Sequence, residues 1–148
     1  MPLENTTSIV FSVKSDNNVR LIFTGDARSL RPAYELIIGR QGNTQSRYTT
    51  SLAIAYTQST YFTIETPSIL NPSELVTFWA SWKQDLSFGK GQIIGRDTMI
   101  KTSLSALVEV RYIGIRTLSG DNDTWIFPSG NTKEQKQTKI NTIDNTLH

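Results

Sequence analysis

The side chains of this chain best suited to chemistry are aromatic, guanidinium, amide and hydroxyl groups, and they gather in a few places. Trp79 lies in the run Phe78-Trp79-Ala80-Ser81-Trp82. Arg40, Asn43, Ser46 and Arg47 fall in and just after one turn, and Asn122 and Trp125 share a later loop. An indole ring offers a flat apolar platform, while arginine, asparagine and serine supply directed hydrogen bonds beside it. Without an activating base, such groups hold a ligand instead of attacking it.

Reactive chemistry has few candidates. Cysteine is absent, and the only histidine, His148, is the last residue, where chain ends fray. Nucleophile-and-base pairs, thiolate or histidine zinc sites and disulfides therefore lack their residues. Glu35, Glu65, Glu74 and Asp85 read as solvated carboxylates; glycoside hydrolysis would need two of them roughly 5–9 Å apart. Gly89-Lys90-Gly91 with Gly95 misses the dinucleotide spacing and reads as a turn between strands. Asp121-Asn122-Asp123 lacks the remaining ligands of a calcium loop, so neither a metal nor a cofactor is expected. Asn5-Thr6-Thr7 and Asn122-Asp123-Thr124 fit the glycosylation sequon, which matters only in a secretory lumen.

The elements that must position these groups follow from length and pattern. A chain of 148 residues with formal net charge +2 suits one domain that folds by packing alone. Its basic residues are dispersed among acidic ones, so a nucleic-acid partner is not expected. The amino-terminal residues have no basic-then-apolar leader, and no apolar run matches a bilayer. The expectation is a soluble product without membrane insertion. Its compartment stays open, cytoplasmic or extracellular after processing.

Period-two alternation predicts strands over most of the chain. Ile9, Phe11 and Val13 share a face, as do Val19, Leu21 and Phe23, and Asp16-Asn17-Asn18 between them predicts a hairpin. Tyr34 to Gly39 reads as a strand, Arg40-Gln41-Gly42-Asn43 as a turn, and Arg47 to Tyr56 and Tyr61 to Glu65 as further strands. Asn71-Pro72-Ser73-Glu74 resembles a helix cap, but Leu75 to Trp82 is dense in β-formers and reads as a strand. Leu86 to Gly89 and Gln92 to Gly95 read as a hairpin-like pair, followed by Leu107 to Ile115 and Thr124 to Phe127. About nine or ten short strands of this kind imply an all-β fold, an antiparallel β-sandwich or jelly roll. It is expected over residues 1–130, with residues 131–148 a polar tail or short appended arm in which Ile140, Ile143 and Leu147 have helical spacing. Alternation sends Phe78, Ala80 and Trp82 to one face and Trp79 with Ser81 to the other. Trp79 is then either an exposed platform or a ring covered by the second sheet or a loop.

Three blocks carry a family resemblance: Tyr34 to Gly39 with Asn43-Thr44-Gln45-Ser46-Arg47; Phe78 to Trp82 running on to Phe88-Gly89-Lys90-Gly91; and Tyr112-Ile113-Gly114-Ile115 with Trp125-Ile126-Phe127. Together they resemble an invertebrate domain family named after farnesoic acid O-methyltransferase, over roughly residues 8 to 128. Arg40-Gln41 departs from the small or aromatic residue expected after the glycine. The name implies methyl transfer, yet the glycine-rich strand-to-helix turn that cradles a nucleoside cofactor is missing from the sequence. In plan the chain is similar to galectin-like and other animal lectins.

The leading expectation is accordingly a carbohydrate-binding module and not an enzyme, with no catalytic residues. Trp79 would pack on the apolar face of a sugar. Arg40, Asn43, Ser46 and Arg47 would bond its hydroxyls, with Asn122 and Trp125 as alternates. Galactosides present a suitable apolar face, and a homo-oligomer would add avidity to weak single sites. The alternative is a protein-interaction or self-associating structural domain, with a methyltransferase third.

Overall fold

The computed structural model describes residues 6–25, 33–51, 59–83, 85–105, 110–117 and 123–128, and two antiparallel five-stranded sheets hold most of them. In chain order the strands are β1 (Ser8–Lys14), β2 (Val19–Thr24), β3 (Ala33–Gly39), β4 (Gln45–Ser51) and β5 (Ser59–Glu65). They continue with β6 (Val76–Ser81), β7 (Asp85–Lys90), β8 (Thr98–Ser105), β9 (Tyr112–Thr117) and β10 (Thr124–Ile126), and a helical turn, α1 (Arg40–Asn43), joins β3 to β4. The first sheet has the order β10-β1-β6-β7-β8 and the second β5-β4-β3-β2-β9. The fold is the all-β sandwich that the alternation predicts.

Alternate residues of each strand meet between the sheets. Phe11 and Val13 of β1, Phe78 and Ala80 of β6 and Leu86 and Phe88 of β7 face Leu21 and Phe23 of β2, Leu36 and Ile38 of β3 and Tyr48 of β4, all buried in one core. Rings dominate it: Phe78 lies 5.4 Å from Phe88, Phe11 5.8 Å from Phe78 and Phe23 5.3 Å from Trp82. Tilted pairs at this separation each add about 0.5–1.5 kcal/mol beyond the area they bury.

Tyr48 is the polar link between the layers, its hydroxyl donating to the Ser87 carbonyl 3.1 Å away. Burial pushes that hydroxyl far above its ordinary value near 10, because a phenolate there would lose its water. The folded-state pKa is raised, so this contribution to stability is complete below about pH 10 and is lost as pH rises beyond it. The expected slope is about 1.4 kcal/mol per pH unit while the folded form stays protonated. Urea midpoints measured from about pH 8 to about pH 11.5 should fall more steeply for the wild type than for Tyr48→Phe; parallel curves would contradict the assignment.

Two local expectations need correction. β1 and β2 do not form a hairpin: they belong to different sheets, and Ser15–Asn18 carries the chain across. Ser15 holds this crossing, its hydroxyl donating to the Asn17 carbonyl at 2.8 Å and its own N–H reaching the Asn71 carbonyl at 3.1 Å. Alternation cannot separate the two cases, since a hairpin and a crossing both turn Phe11 and Phe23 toward one core. Gln92 to Gly95 is not a strand but part of the loop between β7 and β8, and β8 is the true partner of β7. Asn71 caps no helix; its Oδ1 accepts from the N–H groups of Ser73 at 2.8 Å and Glu74 at 3.1 Å in a local turn before β6. Residues 52–56, 107–109 and 131–148, for which strand or tail structure is expected, lie outside the described residues.

Candidate functional site

Trp79 is not a platform. It is 1% exposed, on the face of its sheet turned away from the core, and the loop between β7 and β8 seals it. Its Nε1–H donates to the Arg96 carbonyl at 2.7 Å. Gly89 stands directly opposite in register, and a Cβ there would come within 2.5 Å of the indole ring. The missing side chain is what lets the ring lie flat across the neighbouring strand. The loop is closed on itself by Lys90 N–H to Asp97 O at 3.2 Å and Arg96 N–H to Ile93 O at 3.1 Å.

Asn43 and Ser46 also serve the fold. Asn43 sits at φ 65 in α1, a left-handed conformation that asparagine tolerates, and its amide brackets the backbone of one residue: Nδ2 donates to the Leu70 carbonyl at 2.9 Å and Oδ1 accepts from the Leu70 N–H at 3.0 Å. Ser46 is fully buried, its hydroxyl 2.7 Å from that of Thr66. Both groups are consumed by the segment Thr66 to Leu70 and present nothing to a ligand. Trp125 is half-buried at the end of the core, stacked on Phe127 at 5.7 Å and 5.9 Å from Phe11. Asn122 lies outside the described residues.

Arg40 and Arg47 do share a surface, the outer face of the second sheet. There the antiparallel register sets Arg116 opposite Arg20, Arg20 opposite Ile37, Ile37 opposite Arg47 and Arg47 opposite Thr63. The adjacent row carries Ile22, Glu35, Thr49 and Tyr61. Arg20 and Glu35 form an ion pair at 2.9 Å. Arg47 Nε donates to Thr63 Oγ1 at 2.8 Å while its guanidinium lies 4.3 Å from the centroid of the Tyr61 ring. Gln45 Nε2 donates to Glu65 Oε1 at 2.9 Å, and its Oε1 receives a long 3.4 Å contact from Arg40. Burial first, then the charges of Arg47 and Arg20, lower the Arg40 guanidinium from its ordinary value. It remains a cation, but one that a neighbouring anion would stabilise. At the margin of this face, beside Glu65, a groove of about 360 Å³ opens between Ile64, Ile69, Met99 and Lys90.

Sequence reasoning reached Arg40 and Arg47 through their closeness along the chain. It missed Arg20, Glu35, Tyr61, Thr63 and Arg116, which come from four other strands and meet only through register. A signal did exist: each is the outward member of an alternating strand, and Tyr61 is 57% exposed where an aromatic would ordinarily be covered.

Among the described residues no helix is long and apolar enough to cross a membrane, and no three His, Cys, Asp or Glu side chains gather as metal ligands do. No curated protein and no solved structure matches the chain. A match to the family described as farnesoic acid O-methyl transferase covers residues 2–131, the whole span from β1 to β10, and the chain belongs to that family.

Proposed function

We propose that this chain is a carbohydrate-binding module whose ligand lies on the outer face of the second sheet, with Tyr61 in the place expected for Trp79. The observation that carries this reading is the exposed Tyr61 ring, braced on one side by Arg47 and set among side chains that already hold one another through Arg20–Glu35, Arg47–Thr63 and Gln45–Glu65. A preorganised array of this kind loses little freedom when hydroxyl groups bind, and an aromatic ring offers the apolar face of a sugar its partner. Galactosides suit such a ring, and a homo-oligomer displaying several faces would raise avidity.

A glycan array is the direct test. Tyr61→Ala and Arg47→Ala should each weaken binding by about tenfold or more, equivalent to roughly 1.4 kcal/mol. Lys101→Ala, exposed on the other sheet, serves as the control. If the wild type binds no glycan at any density, the reading is wrong.

One feature favours the alternative of a protein-interaction domain. Ile93 and Ile94, 55% and 46% exposed, stand together in the loop that covers Trp79. Self-association abolished by serine at both positions, in a protein that binds no glycan, would establish that role. Methyl transfer from a nucleoside donor, the activity the family's name describes, would replace both readings.

A further inference from the structure

The outer face of the second sheet carries more positive charge than its own acidic groups can neutralise. Arg20, Arg40, Arg47 and Arg116 share it with only Glu35 and Glu65 among the described side chains. Glu35 is held by Arg20 at 2.9 Å, and Glu65 accepts from Gln45. Arg40, Arg47 and Arg116, each half-buried, therefore have no carboxylate partner among the described residues.

Their placement is costly to the fold. Arg116 stands directly opposite Arg20 on adjacent strands, an arrangement of like charges that destabilises a sheet. The Nε–H groups of both are buried and have no hydrogen-bond partner. From Arg116 across β2 and β3 to Arg47 is three strand spacings, about 14 Å. Arg40 flanks the same row at the end of β3, close enough for Arg47 and Arg20 to perturb it. An anion lying along the row would relieve the repulsion by pairing with the outer guanidinium N–H groups, which suit carboxylate and sulfate oxygens through paired N–H bonds.

We infer that this face selects acidic saccharides, with Arg116, Arg20, Arg47 and Arg40 receiving a sugar carboxylate or sulfate while Tyr61 contacts the ring. This inference rests on the carbohydrate reading above. The positive charges run across the strands as Arg116 and Arg20, then the uncharged Ile37, then Arg47 and the hydroxyl of Thr63, with Thr49 and Tyr61 in the adjacent row. That suits a ligand whose charges are separated by hydroxyl-bearing rings better than a continuous phosphate chain.

Titration of the intact chain with matched oligosaccharides tests it. One arm uses a uronate-containing oligosaccharide against its carboxyl-reduced form, and a second uses a sulfated oligosaccharide against its desulfated form, so the arms tell the two anions apart. In at least one arm the acidic member should bind about tenfold more tightly, and that preference should shrink as salt shortens the range of the charges. Arg116→Gln and Arg40→Gln should reduce the acidic-to-neutral ratio, and Arg116→Gln should unfold no more easily than the wild type because it removes a like-charge pair. Equal binding of acidic and neutral members overturns this inference and leaves the carbohydrate reading standing. Absence of any saccharide binding overturns both. Tighter binding to single-stranded RNA of equal charge, or a marked loss of stability in Arg116→Gln, also overturns the inference.

Discussion

Trp79→Ala should lower folding stability by about 3–5 kcal/mol, as removal of a large buried ring does when its surroundings cannot collapse. The ring is 1% exposed and holds the loop from Gly91 to Asp97 through its bond to the Arg96 carbonyl, so alanine leaves both a void and an unanswered acceptor. Urea denaturation should show the midpoint falling sharply. The fraction that remains folded should still bind whatever the wild type binds, because Tyr61 and Arg47 stand on the other sheet. A variant of wild-type stability that had lost its ligand would reverse this assignment and restore Trp79 as a contact.

Gly89→Ala should be nearly as damaging, at about 3 kcal/mol, by the opposite route of overfilling. A Cβ at this position lies 2.5 Å from Cε2, Cζ2 and Nε1 of Trp79, and the ring has no way to retreat beneath its loop. The two substitutions should not add. Once Trp79 is alanine, a methyl group at position 89 meets open space, so the double variant should be no less stable than Trp79→Ala alone. Additive losses in a double-mutant cycle would show that Gly89 is needed for its backbone and not for the room it leaves.

How far the sequence foretold this molecule can be judged from these residues. Alternation correctly turned Phe78, Ala80 and Trp82 inward and Trp79 outward, because period two is a local property of extended chain. It could not say what lies over the outward face, since the cover is a loop from residues further along. Gly89 is the clue, but it gains meaning only when register places it across from Trp79. β8 was hidden for a related reason: Thr102 is buried where an apolar residue would have marked the strand, while the apolar pair Ile93-Ile94 sits in a loop between Gly91 at φ 98 and Gly95 at φ 88. At the candidate site, Arg40 and Arg47 were legible because they are neighbours in the chain. Asn43 and Ser46 lie in the same segment, but one is bound to Leu70 and the other faces the core.

The pairing of β10 with β1 has a mechanical consequence. The strands run antiparallel, with Ser12 beside Ile126 and Lys14 beside Thr124, so the chain enters β1 and leaves β10 toward the same end of the sandwich. Tension applied between those two ends loads the bonds in sequence, Ser12–Ile126 first, like a zip drawn from its open end. A domain strung into a longer filament by these points would yield at modest force by peeling, where strands loaded in shear would resist together.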